Sequence, residues 1–535
     1  MLLEPSATRS LARTIWAVGE LFGPKRPEVG REGLPASTSM PRHHLLRVLR
    51  NLFWSDSAAA TAAIEPRANS AQKMACAKEA INLLRGWPST DLLPATLIQE
   101  AANHVLSDKS VVIPGLLYGP DEGYKPCREA IARWLTDFYQ PSRPIDFERI
   151  TITGGASQNM GVALGVYTDP EYTRNVWIVT PGYMLIFRMF EDAGFGAKLR
   201  AVPEDEEGID IEYLRREMRK SEEHAQSTGN TAPRYKPDRK RAKVYKHLIY
   251  TVPSFSNPSS RTMTLRKRRE LVQLARDFDA LIACDDVYDV LQWPVGDTAT
   301  VLKNAHLPRI VDVDRELDGG AEREGADGFG NVMSNGTWSK LAGPGLRSGW
   351  SEGTPKFAYG LGQAGCQRSG GSPSHLTSTY LTHLLQTGRI QNHIKTVLCP
   401  GYASRYKTLM GAVRQHLQPL GFTIPQPDRK VAGGYFLWLG LPTDLRGTEL
   451  ATRLQQEENL IVAPGKIFEV PGDESAVPCD TSIRLCFAWE DEEKIRSGVE
   501  RIAATTKVLL SAKEDGTEGF VVVEKDTADM LQTFR

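Results

Sequence analysis

The sequence has no net charge to offer a partner: 65 Lys and Arg are matched by 65 Asp and Glu over 535 residues. No global basic field invites nucleic acid or an anionic membrane. It also lacks any apolar run of the ~18 residues that would suggest a membrane span. Its seven cysteines (Cys76, Cys127, Cys284, Cys366, Cys399, Cys479 and Cys486) are scattered, odd in number and contain no CxxC pair. That argues against a disulfide framework or a zinc ribbon, so no metal site is expected, and it fits a reducing compartment. Cys284 and Cys486 sit in apolar runs and read as small core residues. No internal repeat is visible, and no secretory signal opens the chain.

What remains is ordinary soluble composition, 41% hydrophobic and 24% charged. The length calls for more than one domain or one large α/β unit. Residues 1 to about 56 carry Arg9, Arg13, Arg31, Arg42, Arg47 and Arg50, but Glu4, Glu20, Glu28 and Glu32 interrupt them. Transit peptides are poor in acids, so a disordered extension over 1–70 and a cytoplasmic location are expected, with a mitochondrial one left as the alternative. Two stretches, 219–243 and 313–331, are too polar to be core and read as surface insertions. A break is expected over 355–375, a helical region over 376–418 and a peripheral tail over 513–535.

Between these features strand and helix signals alternate. "RITITGG" (149–155), "NVWIVTPGY" (175–183), "KHLIYTVPSFSNP" (246–258) and "LIACDDVYDVL" (281–291) are apolar strands that end in turns or polar residues. "SQNMGVALGVYT" (157–168) reads as a helix, and "TLRKRRELVQLARDFDA" (264–280) is amphipathic at helical spacing. Apolar strands alternating with such helices predict a buried, mostly parallel sheet. "GGYFLWLGLP" (433–442) and "SIRLCFAW" (482–489) then predict strands of a smaller second domain.

In parallel sheets the sites lie at the carboxyl ends of strands, and chemistry-bearing residues gather there. Gly154-Gly155-Ala156-Ser157 opens a helix and could seat a phosphate, although it is also a common turn. Tyr183, Asn257, and Asp285-Asp286-Val287-Tyr288 follow the next strand ends. Each has a bland reading: a packed ring, a turn, solvated charge. "GTWSKLAGPGLRSGW" (336–350) adds Lys340 among small residues and Arg347 seven positions on. Together they supply a phosphate seat, an aromatic face, an amide, a carboxylate, a phenol, an amine and a guanidinium. A phosphorylated pyridine aldehyde uses all of these: a lysine for its aldehyde, a carboxylate for its ring nitrogen.

The motifs "INLLRGWPS", "LLYGPDEGYKPCREAIARWL", "TITGGASQNM", "TPGY", "SFSNPSS", "CDDVY", "TWSKLAGPGLRSGW" and "SIRLCFA", in this order over about 81 to 505, resemble those of the class I/II, fold-type I pyridoxal-phosphate aminotransferases. The 2-aminoadipate and kynurenine aminotransferase branch is the most similar. The resemblance implies an α/β fold. A large domain over 71–365 carries a mostly parallel seven-stranded sheet between helices, and a smaller C-terminal α/β domain spans 366–512. It implies that Lys340 forms the Schiff base with pyridoxal 5′-phosphate and that Asp285 pairs with the pyridinium nitrogen. Tyr288 and Asn257 bond the cofactor's phenolate oxygen, and Tyr183 stacks on its ring. The Ala156 and Ser157 amides, Thr337 and Arg347 hold the phosphate. Arg484 clamps the substrate α-carboxylate, and Gly86 sits where the family's backbone meets that group. Tyr118 matches a tyrosine that reaches the neighbouring subunit's phosphate, implying a homodimer. Thr337 replaces a commoner serine, and "NPSS" replaces Asn-Pro-Thr-Gly.

The expected reaction moves an amino group from an L-amino acid, aromatic or 2-aminoadipate among the candidates, to a 2-oxo acid such as 2-oxoglutarate, by ping-pong kinetics. A lyase or decarboxylase on the same fold is the alternative. A transcriptional regulator on this fold is the third reading, and no pair of capped helices with a tight turn supports it. "GWPSTDLLP" (86–94), the neighbourhood of Tyr124 and the 355–375 stretch are expected to line the side-chain pocket.

Overall fold

The computed structural model describes residues 78–296 and 302–515. The extension expected over 1–70 and all but the first residues of the 513–535 tail lie outside them. The central sheet is built from β1 (Ile150–Thr153), β2 (Val176–Thr180), β3 (Leu199–Asp205), β4 (Gly208–Ile209), β5 (His247–Thr251), β6 (Ala280–Asp285), β7 (Val332–Thr337) and β8 (Gly349–Glu352). Their order is β1-β8-β7-β6-β5-β2-β3-β4. Six run parallel; β8 and the two-residue edge strand β4 run against their neighbours. The seven longer strands are the sheet expected from the sequence, and β4 is a short hairpin return added at one edge.

β5 and β6 are buried at every residue, which is why they read as continuous apolar runs rather than alternating ones. Helices cover the sheet. α1 (Ala156–Tyr167) leaves β1 through Gly155, whose φ of 98° suits glycine. α2 (Ile211–Ser227) is capped by Asp210, whose carboxylate accepts from the Tyr213 amide at 2.9 Å. α3 (Leu265–Asp277) is capped by Thr264 and buries Leu271, Val272, Leu274 and Ala275. The register between β6 and β7 sets Asp285, the last residue of β6, opposite Asn335, and β7 runs two residues further to Thr337.

Late in the chain, β9 (Phe436–Gly440), β10 (Ala463–Pro464) and β11 (Ser482–Cys486) form an antiparallel sheet in the order β9-β11-β10. Helices Cys399–Ala412 and Glu492–Glu514 pack together beside it. Ile81–Asn82 pairs with Leu460–Ile461, so the segment after residue 82 crosses from this region to the carboxyl edge of the large sheet. Among the described residues no helix is long and apolar enough to cross a membrane.

Three expectations change. The stretch 219–243 is not wholly a surface insertion, because α2 runs on to Ser227. Ala225 is buried there, and Glu222 binds Arg174 at 2.9 Å and His247 at 3.1 Å. The stretch 313–331 also enters the core: Val313 and Phe329 are buried, and buried Asp314 pairs with Arg276 at 2.9 Å. Polarity misled in both cases because the acids, Asp314 buried and Glu222 half-buried, are paired with cations, which removes most of the cost of desolvation. The break over 355–375 contains two helices, Pro355–Gly362 and Gly365–Gly370. Thr354 caps the first by accepting from the Phe357 amide at 3.0 Å, and Phe357 and Leu361 are fully buried.

Candidate active site

A cavity of about 360 Å³ opens where β1, β5, β6 and β7 end. Gly86, Ala156, Ser157, Tyr183, Asn257, Asp285, Tyr288, Thr337, Lys340, Arg347 and Arg484 all line it. Eleven of the twelve residues singled out from the sequence therefore meet in one place. The twelfth, Tyr118, lies outside it and is 88% exposed.

One end of the cavity is built for an anion. A Cβ placed on Gly155 would stand 3.4 Å from Arg347 Nη2 and 3.7 Å from Thr337 Oγ1. The glycine thus marks a cradle where the open amides of the first turn of α1, a hydroxyl and a guanidinium converge. Arg347 donates from Nη2 to the Gly154 carbonyl at 3.1 Å, and Thr337 Oγ1 meets Ser339 Oγ at 3.0 Å. Asn335 fixes the start of α1: it donates to the Ala156 carbonyl at 3.0 Å and accepts from Asn159 at 2.8 Å.

The other end holds an acid and an amine. Asp285 accepts from the Tyr250 hydroxyl at 2.9 Å through Oδ2, while its Oδ1 is buried with no protein partner. Burial pushes its pKa up to about 6, against the pull of the Tyr250 bond and the nearby Lys340 charge. Lys340 leaves β7 three residues after Thr337 and donates from Nζ to the Gly86 carbonyl at 2.9 Å. Burial lowers its pKa to about 8, so roughly a tenth of the amine is neutral at pH 7 and more just above it; Cys486 and Asp285 oppose that shift and Arg484 adds to it. The Tyr288 ring lies 5.9 Å from Lys340 Nζ.

Arg484, on β11, is 1% exposed and reaches in from the small sheet. It donates to Asn257 Oδ1 at 2.8 Å and to the Leu84 carbonyl at 2.5 Å, with its guanidinium 4.1 Å from the centre of the Phe436 ring. Because Arg484 takes the Asn257 oxygen, the Asn257 amide nitrogen is left to act as a donor.

Tyr250, Asn335, Ser339 and Phe436 were missed from the sequence. Tyr250 left a signal, a polar-tipped ring one residue from the end of an apolar strand. Phe436 gave none beyond hydrophobicity. Of the residues expected around the side-chain pocket, Gly86, Trp87 and Pro88 do line the cavity, but Tyr124 and 355–375 do not. Tyr124 caps helix Lys125–Tyr139 and meets the His375 ring edge-on at 5.6 Å, and 355–375 is folded away as helix.

A lysine and an orphaned carboxylate oxygen facing one another, with an anion cradle beyond them, fit a phosphorylated aldehyde with a basic ring nitrogen. They define a class of enzyme that works through a Schiff base on such a cofactor. Comparison gives the family. The family model "Aminotransferase class I and II" matches residues 79–502. An uncharacterized protein of Saccharomyces cerevisiae is 34% identical over 446 residues, covering 80% of this chain and 97% of its own. Aromatic-amino-acid aminotransferase 1 of Thermococcus litoralis is 25% identical, covering 81% of this chain and 90% of its own. A crystal structure of an α-aminoadipate aminotransferase from Thermus thermophilus, complexed with N-(5′-phosphopyridoxyl)-L-leucine, matches at 26% identity and TM-score 0.60, covering 81% of this chain and 93% of that one. The chain belongs to the class I and II aminotransferases. It is a pyridoxal-phosphate-dependent transaminase of fold type I.

Proposed function

We propose that the cavity transfers the amino group of an L-amino acid to a 2-oxo acid such as 2-oxoglutarate, with the residue roles that follow. The observation that carries this reading is the convergence of Lys340, Asp285 and Arg484 on one cavity beside the Gly155 cradle. Pyridoxal phosphate, when bound, supplies an aldehyde that condenses with amines and a ring that accepts the electron pair released at the substrate Cα.

The chain's own residues do the rest. Ala156 and Ser157 amides, Thr337 Oγ1 and Arg347 hold the phosphate. Asp285 Oδ1 holds the proton on the ring nitrogen, and the Tyr250 bond keeps its carboxylate aligned. Asn257 Nδ2 and the Tyr288 hydroxyl donate to the phenolate oxygen, and Tyr183 covers the ring. Arg484 takes the substrate α-carboxylate with its planar fork, while the Gly86 backbone borders that group. Lys340 Nζ would hold the cofactor's aldehyde and, when free, would take the proton from the substrate Cα, and its lowered pKa suits a base near neutral pH.

The active unit in this reading is a homodimer. A run of exposed apolar side chains supports it: Leu106, Ile113, Leu116, Leu117 and Tyr118 are 51, 54, 65, 66 and 88% exposed. Tyr118 then reaches the phosphate of the second subunit. A cytoplasmic location belongs to the same proposal and is supported by free thiols at Cys127, Cys284, Cys399, Cys479 and Cys486, all buried. The test is a panel of amino donors against 2-oxoglutarate, read as glutamate formed. Stoichiometric oxo acid is expected; release of ammonia or CO2 on each turnover without an acceptor would overturn the reading. Light scattering gives the subunit number, and mixing Tyr118→Phe with Lys340→Ala chains tests sharing between subunits.

A further inference from the structure

Three cations line the cavity, Lys340, Arg347 and Arg484, and each has a role in the reading above. Much of the remaining lining is apolar, Trp87, Pro88, Leu185, Val252 and Phe436 among it. Trp87 and Leu185 are 44% and 41% exposed, so a large indole stands half open at the entrance. A lone exposed ring needs no explanation, but this one is braced from behind. The Arg85 guanidinium sits 4.8 Å from the Trp87 ring centre and 5.0 Å from that of Trp489, and the two indoles meet edge-to-face at 5.8 Å and 85°. Arg85 Nε is buried with no hydrogen-bond partner, and Arg85 is not among the residues that line the cavity. The guanidinium therefore acts as a spacer between two rings. Gly86, next to it, is fixed by packing: a Cβ there would fall 2.8 Å from Phe436 Cζ. Trp87 is thus presented to the cavity from a turn that has little freedom to move.

We propose that Trp87, held by Arg85 and Trp489, is the specificity-determining wall of the donor pocket, and that the preferred donor is an L-amino acid with an aromatic or bulky apolar side chain rather than a second carboxylate. The inference rests on the transaminase reading. An aromatic side chain against this wall gains ring contact and buried area. A distal carboxylate in the same place would lose water and gain no unassigned cation from the cavity lining.

The experiment follows the half-reaction of the full-length holoenzyme spectroscopically with phenylalanine, alanine and 2-aminoadipate, in the wild type, Trp87→Ala, Trp87→Phe and Arg85→Met. Phenylalanine is expected to exceed both other donors in kcat/KM. In Trp87→Ala the phenylalanine-to-alanine ratio of kcat/KM should fall about 30-fold, mainly through KM, and Trp87→Phe should restore most of it. Arg85→Met should move the ratio the same way by about threefold to tenfold, because the indole stays but loses its brace. If 2-aminoadipate is the best donor and is lost selectively in Arg85→Met, Arg85 is a carboxylate partner and the proposal falls. It falls equally if alanine and phenylalanine decline together in Trp87→Ala, since the ring is then only structural. If alanine and 2-aminoadipate react in the wild type but phenylalanine does not, the inference fails and the transaminase reading stands. If no amino acid reacts, both fail.

Discussion

Asp285 lines the cavity, and the next residue, Asp286, turns to the other side of the sheet's edge. Asp285 is bonded by Tyr250 on β5, keeps Oδ1 toward the cavity and lies near Lys340. Asp286 accepts from the Ser334 hydroxyl on β7 and lies near Asp289, Arg268 and Arg309. Both are buried, and burial raises both pKa values. For Asp286 the neighbouring Asp289 raises it further, while Ser334, Arg309 and Arg268 oppose the shift. On the cavity side the hydroxyl and the amine pull the other way, leaving Asp285 poised near pH 6. The carboxylate that lines the cavity and the one behind it differ by which neighbours face them. Their alternation along one strand end decides those neighbours.

The comparison can be broken in four ways. Lys340→Ala should have the largest effect, a loss of turnover of about 10⁴-fold or more together with the visible band of lysine-bound cofactor. It also removes the positive charge that favours ionised Asp285, so that carboxyl should titrate higher, as carboxyl infrared bands of the cofactor-free protein would report. Asp285→Asn should cost turnover about 10³-fold in steady-state assays. Its effect on stability has the opposite sign. The raised pKa means folding favours the protonated acid: stability is full below the ordinary carboxylate range, falls as pH rises through about 6, and stays lowered above. The asparagine variant without cofactor should therefore melt higher than the wild type at pH 8 and alike at pH 4, as calorimetry would show.

Tyr250→Phe comes third. It deletes a bond that favours the charged acid, so the pH at which cofactor affinity is half lost should move upward from about 6. Affinity at pH 6 should drop about tenfold, with a smaller change at pH 8, by equilibrium titration. Asp286→Asn should be the mildest, within about threefold of wild-type turnover, because the side chain does not line the cavity and asparagine keeps its shape and can still accept from Ser334. Should Asp286→Asn match Asp285→Asn in activity loss, the division of labour between the two faces is wrong.

Much of this was legible in the chain. The apolar strands with polar ends were, because a strand buried on both faces must be apolar along its length and its site residues must follow it. The Lys340 loop was, because a cofactor that demands an amine and an anion cradle leaves residues of fixed type at short spacing. The pair Asp285-Asp286 was only half legible. Both end the same strand, and nothing local says which faces the cavity; only the spacing to Tyr288 in the family's motif picks one. The helix Pro355–Gly362 was hidden by its glycines, although Thr354-Pro355 is a sound start signal. The Arg85, Trp87 and Trp489 stack was not legible at all. Its members are brought together by tertiary packing across most of the chain, and no periodicity records that.

Gly86 and Trp87 are adjacent, yet mutation would treat them differently. A methyl group at 86 collides with Phe436, which itself lies beneath Arg484. At 87 the side chain is half in solvent, and a smaller or differently shaped one meets no backbone. For an evolving lineage, or for a designed library, the cavity is thus divided by one peptide bond into a wall that cannot change without displacing Phe436 from beneath Arg484 and a wall that can change its taste while the chemistry behind it continues.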